Sequence, residues 1–202
     1  MEHLINQNVR EIQVSGIRKF SMRVAAYQDA ISLTLGQPDF PTPEHIKAAA
    51  QAAIAQNKTV YTLNAGLIEL RRAACRFVST RYGQQYDPET EVIVTNGASQ
   101  AIDITLRTIL EPGVEVILPG PVYPGYEPIV KQCGAIPVYV DTRETGFKLT
   151  AAGIRAKLSD KTRAVLLPYP SNPTGVVMAR AELAEIAELL RDREIFVLSD
   201  EI

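Results

Sequence analysis

"RAVLLPYPSNPTGVVMARAELAEIAELLRDREIFVLSDEI", residues 163–202, reads as strand, turn, helix, strand. The runs at 163–169 and 195–199 are apolar without polar alternates, the pattern of strands covered by helices on both sheet faces. The intervening helix, residues 179–193, makes the unit a parallel crossover. Phe196, Val197 and Leu198 form a strand suited to a dry interior, yet it delivers a carboxylate, Asp200, with Glu201 beside it. Burying an acid without a partner is expensive, so the group opposite Asp200 becomes the question.

The same rhythm extends back to residue 91. Strands are expected at "EVIVT" (91–95), "EVILP" (115–119) and "IPVYV" (136–140), and helices at residues 98–110, 126–133 and 150–158. Strand–helix alternation of this kind predicts an α/β fold with a mainly parallel sheet covered by helices. The first ninety residues do not join it. Residues 8–26 read as weakly helical with a break at Ser15-Gly16, and "AISLTLG" (30–36) as a short strand. Residues 41–57 form a helix that Thr42 can cap, with Pro43 in the first helical position and Glu44 complementing the dipole. Another follows at 66–83, ended by Gly83.

Composition narrows the function. The chain has 202 residues, 46% of them hydrophobic, and a net charge of −2 from 21 basic and 23 acidic side chains. No basic excess points to nucleic acid, and no charged block to a tail. No secretory signal opens the chain and no apolar run is long enough to span a membrane, so a cytoplasmic protein is expected. Cys75 and Cys133 lack CxxC partners and read as reduced thiols. With only His3 and His45, a histidine metal site is not expected; His45 reads as a helix-face residue.

Ligands of open parallel sheets bind beyond the carboxyl ends of the strands, and four such ends carry useful groups. In "TNGASQAI" (95–102), Gly97 permits a sharp turn. Ala98 and Ser99 then open a helix whose free N–H groups suit a phosphate. Taken alone, it reads as a plain strand-to-helix turn, since small residues are common in such turns. "PGPVYPGY" (119–126) can project Tyr123 as a flat face for stacking, or merely pack it on its own turn. In "PYPSNPTG" (168–175), Asn172 precedes Pro173, is biased to extended backbone, and can offer its amide to a ligand oxygen; an Asn-Pro turn is the ordinary alternative. Asp200 can face a cationic ring nitrogen, each charge favouring the other, or can cap a helix or meet an arginine. Together the four sites describe a pocket for a flat, phosphorylated, nitrogen-containing ring, the features of pyridoxal 5'-phosphate.

At this point the strings "SLTLGQPDFPTP", "YTLNAGLIELRRA", "TNGASQAI", "PGPVYPGYEP", "YPSNPTG" and "VLSDEI", in this order, strongly resemble the class I/II aminotransferases of fold-type I. Within them the chain is most similar to bacterial enzymes described as N-acetyl-LL-diaminopimelate aminotransferases. The resemblance implies an enzyme moving an amino group between an amino acid and a 2-oxo acid, in a homodimer with shared active sites. It implies that Gly36 and Asn172 lie near the substrate. Tyr61 reaches the cofactor phosphate of the neighbouring subunit, and Gly97, Ala98 and Ser99 hold the phosphate. Tyr123 stacks on the ring, Asn172 bonds its phenolic oxygen, and Asp200 pairs with its nitrogen. It also implies a division into residues 1–40, an arm and the start of a small domain, and 41–202, a cofactor-binding large domain incomplete at its carboxyl end. The family's Schiff-base lysine and substrate-gripping arginine follow the "SDE" acid, so no catalytic residue is expected within these 202 positions, and the chain alone is expected to be inactive. A carbon–sulfur β-lyase and a non-catalytic aminotransferase-like domain are the rival readings.

Overall fold

Four parallel strands lie in the order β2-β1-β3-β4, where β1 is Glu115–Gly120, β2 Ile136–Asp141, β3 Thr162–Leu167 and β4 Phe196–Ser199. This is a computed structural model; it describes residues 1–202 apart from 13–15, 25, 28, 32, 34, 35, 37 and 202. The chain divides into two compact units, Met1–Ser15 with Gly97–Ile202, and Gly16–Asn96.

In the first unit, side chains of successive strand residues point to opposite faces, and the core follows that rule. Ile117, Val165 and Leu167 join Ile154 of α7 (Ala151–Arg155) and Ile186 and Leu190 of α8 (Arg180–Leu190) in one cluster. Val116, Leu118, Ala164 and Leu166 join Leu106 of α5 (Ala98–Ile109) and Tyr126 and Val130 of α6 (Tyr126–Gln132) in the other. Helices on both faces explain why "AVLL" has no polar alternate. The helix starts are locally specified. Thr150 accepts from the Gly153 amide at 3.0 Å before α7, and Glu182 reaches back to the Ala179 amide at 2.6 Å before α8. A four-residue helix, α1 (Gln7–Arg10), packs against α6.

Two strand expectations change. Residues 91–95 form no ladder. Ile93 is exposed, and the Val94 amide donates to the Ala65 carbonyl at 3.0 Å. A strand exists only through its neighbour, and none lies beside this segment among the described residues. β4 is a strand but not a buried one: Phe196 and Val197 are 51% and 48% exposed. It is the sheet edge, and only Leu198 packs into the core.

The second unit contains α2 (Gly16–Val24), α3 (Glu44–Ala55) and α4 (Ile68–Tyr82). Thr42 does not cap α3. Pro43 occupies the cap position, and its carbonyl accepts from Ile46 and Lys47 at 3.0 and 3.2 Å, leaving Thr42 one residue too early. Gly83 ends α4 as expected, at φ 71°. Arg71, buried on α4, donates to the Pro88 carbonyl at 2.8 Å and so ties residues 88–89 to the helix. The expected strand at 30–36 includes positions 32, 34 and 35, which lie outside the described residues; of the expected break at Ser15-Gly16, Ser15 also lies outside them and Gly16 is the first residue of α2.

Candidate functional site

Three neighbouring strands deliver the expected groups to one edge of the sheet. The chain leaves β1 at Gly120 and reaches Tyr123, whose ring meets Tyr126 edge-on at 5.4 Å and 83°. A side chain at Gly125 would collide with Tyr123, since a Cβ there would lie 2.2 Å from its Cε1 atom. The chain leaves β3 at Leu167 into a tight loop. Within it the Gly175 amide donates to the Ser171 carbonyl at 2.7 Å, and the Ser171 amide to the Val176 carbonyl at 2.9 Å. Below it, the Tyr169 hydroxyl accepts from the Leu149 amide at 2.7 Å. This frame holds Asn172 at the surface, its amide without a hydrogen-bond partner among the described residues. Thr174 Oγ1 in the same loop is buried and has no hydrogen-bond partner among the described residues.

Asp200 follows β4 and is tied twice. Its amide donates to the Leu167 carbonyl at 3.1 Å, extending the β3–β4 ladder by one residue. Its Oδ2 accepts from the Tyr126 hydroxyl at 2.5 Å. Burial, together with the Asp200 carboxylate, pushes the Tyr126 hydroxyl well above its usual 10.0, so it remains a donor. Oδ1 has no hydrogen-bond partner among the described residues. Of the two ordinary alternatives for this acid, neither the arginine nor the helix cap is found among the described residues; the partner is a tyrosine.

The fourth group is the start of α5. Residues 110–114 return the chain from this helix into β1, with Ile102 and Leu106 packed on the cluster that includes Val116 and Leu118. Twelve helical residues rise about 18 Å and six strand residues about 20 Å, so the first turn of α5 lies level with the carboxyl ends of the strands. Gly97 precedes it at φ 81° and ψ 166°, backbone that is essentially restricted to glycine. The Ala98 and Ser99 amides have no partner within the helix, while the Gln100 and Ala101 amides donate to the Gly97 carbonyl at 3.2 and 3.4 Å; the Ser99 hydroxyl makes no hydrogen bond among the described residues.

A Gly97→Ala substitution meets no atom within 4 Å, so its penalty is purely conformational. We expect a loss of about 1–3 kcal/mol, seen as a lowered midpoint in thermal unfolding. An unchanged midpoint would show that the turn relaxes freely.

Gly36 and Tyr61 belong to the second unit, and both are exposed. Tyr126 was not singled out by sequence reasoning. Its contact with Asp200 joins residues 74 apart, and the available signal was only its position in the same "VYPGY" string as Tyr123. Among the described residues no cluster of side chains suits a metal, and no helix is long and apolar enough to cross a membrane.

A parallel sheet with helices on both faces, carrying a helix start, an aromatic, an amide and a braced acid at its carboxyl edge, has an α/β architecture. The model of the aminotransferase class I and II family matches residues 28–202, and the chain belongs to that family. Over its whole length it is 60% identical to a Bacillus subtilis protein described as a probable N-acetyl-LL-diaminopimelate aminotransferase, of which it covers 51%. The aspartate aminotransferase of Thermus thermophilus with maleate superposes with a TM-score of 0.92 at 35% identity, over 98% of this chain and 53% of that one. The N-succinyldiaminopimelate aminotransferase of Mycobacterium tuberculosis does so with 0.88 at 36% identity, over 96% and 51%. The chain spans about half the length of the curated relatives it matches.

Proposed function

We propose that the full-length protein is a pyridoxal 5'-phosphate-dependent aminotransferase, cytoplasmic and homodimeric, that moves an amino group between an amino acid and a 2-oxo acid. The observation that carries this reading is the free Oδ1 of Asp200, an acid held by its backbone and its other oxygen at the carboxyl edge of the sheet. The polar groups fit the cofactor: a helix start and an unpaired amide can donate to a phosphate and a ring oxygen, and an unpaired carboxylate oxygen can accept from a protonated ring nitrogen. When bound, the cofactor supplies a protonated ring that withdraws electrons from the reacting carbon.

The chain's own residues then have distinct tasks. Gly97, Ala98 and Ser99 bind the phosphate through the turn, the first-turn amides and the hydroxyl. Tyr123 covers one ring face and keeps water from it. Asn172 donates its amide to the ring oxygen. Asp200 holds the proton on the ring nitrogen. Gly36 lies near the substrate carboxylate, and Tyr61 serves the partner subunit's phosphate. Residues 1–40 contribute an arm and part of a small domain, and 41–202 the cofactor-binding domain. An acylated diaminopimelate, on the route to lysine, is the amino-group carrier favoured by the 60% identical relative.

Titrating the full-length protein with pyridoxal 5'-phosphate tests the reading. Saturable visible absorption is expected, with amino transfer from N-acetyl-diaminopimelate only when a 2-oxo acid is supplied. No uptake of the cofactor would refute it; release of pyruvate and ammonia without an acceptor would replace it with a lyase.

A further inference from the structure

Tyr126 is fully buried at 1% exposure, sits in the first turn of α6, and comes from a different strand-end loop than the acid it touches. Its ring is held by the second core cluster on one side and by the edge-on Tyr123 ring on another. Its hydroxyl therefore has a fixed address, 2.5 Å from Asp200 Oδ2. A carboxylate on a surface strand end can rotate about its last bond. β4 is half exposed, and only Leu198 packs into the core, so the strand itself does little to hold the side chain.

We propose that Tyr126 is a positioning residue: by donating to Oδ2 it fixes the Asp200 carboxylate so that Oδ1 faces the ring nitrogen of the bound cofactor. This rests on the reading of the site as a pyridoxal 5'-phosphate site. Tyr126 touches no part of the cofactor; it acts through Asp200. A hydrogen bond to a charged group is among the stronger kinds, and its removal frees the carboxylate to turn away while leaving its charge in place.

The test uses the full-length protein and pyridoxal 5'-phosphate as the probe. Tyr126→Phe keeps the ring and its packing and removes only the hydroxyl. Its dissociation constant for the cofactor is expected to rise roughly tenfold to hundredfold, with an unchanged far-ultraviolet spectrum. In an Asp200→Asn background the same substitution is expected to have less than a twofold effect, because residues acting as one unit are not additive. A residue with a merely structural role would weaken binding equally in both backgrounds, and that result overturns the proposal. So does a Tyr126→Phe protein that binds within twofold of the unsubstituted one.

A cofactor-free measurement separates the two readings. In tyrosine-labelled protein, the Tyr126 ring signal, assigned by its absence in Tyr126→Phe, is expected to shift in Asp200→Asn. If the unsubstituted protein takes up no cofactor while this shift is present, the function fails and the contact stands. If the cofactor binds and the shift is absent, the positioning role fails alone.

Discussion

Asp200→Ala in the full-length protein is expected to reduce cofactor affinity and turnover together. Truncating one partner of a shielded, hydrogen-bonded charge pair costs about 2–5 kcal/mol, roughly thirtyfold to several-thousandfold. Two losses combine. On the proposed reading the ring nitrogen would lose the anion that favours its protonated form, and the Tyr126 hydroxyl, which donates to Oδ2, would be left buried without its acceptor. Glu201→Ala is the matched control. Glu201 is adjacent, exposed, and among the described residues bonded only to the Ser199 hydroxyl at 3.0 Å, so a change within about twofold is expected, as for surface substitutions generally. Cofactor titration and steady-state rates of the two variants decide the matter. Equal effects at 200 and 201 would mean that net charge at the strand end, rather than the braced carboxylate, is what the site uses.

The second large effect is on stability. Ile117→Ala is expected to destabilise the protein by about 2–5 kcal/mol, a substantial part of the 5–15 kcal/mol typical of a domain. Ile117 is fully buried in the middle of β1, paired with Val138 of β2 and Val165 of β3, and shares its cluster with Ile154, Ile186 and Leu190 from the covering helices. Strand neighbours on both sides and helices above leave little freedom for the cavity to collapse. Phe196→Ala, at the half-exposed sheet edge, removes a larger side chain yet is expected to cost under about 1.5 kcal/mol, since only half its surface leaves water. Urea unfolding of both variants would show the ranking. A larger loss at 196 than at 117 would mean that β4 is covered in solution.

The parallel sheet was legible because its signal is local and repeated. "VILP" and "AVLL" carry apolar side chains at consecutive positions, and such runs are stable only when both faces are covered. The helix end at Gly83 was legible for the same reason, since φ 71° is a property of that residue and its peptide neighbours. The edge position of β4 was not. Phe196 and Val197 are as apolar as any central strand, and nothing within "IFVLS" states which neighbours it has. "EVIVT" shows the same limit, with the composition of a strand and no ladder among the described residues.

By itself the sequence determined the fold class, the alternation of helix and strand from residue 98 onward and the residue types brought to the strand ends, because these follow from periodicity, turn chemistry and side-chain identity along the chain. Only the tertiary structure decided which strands stand at the edge and that Asp200 is met by Tyr126. Those outcomes depend on contacts between segments 74 residues apart, and no local preference encodes which of several polar side chains will come within hydrogen-bond reach.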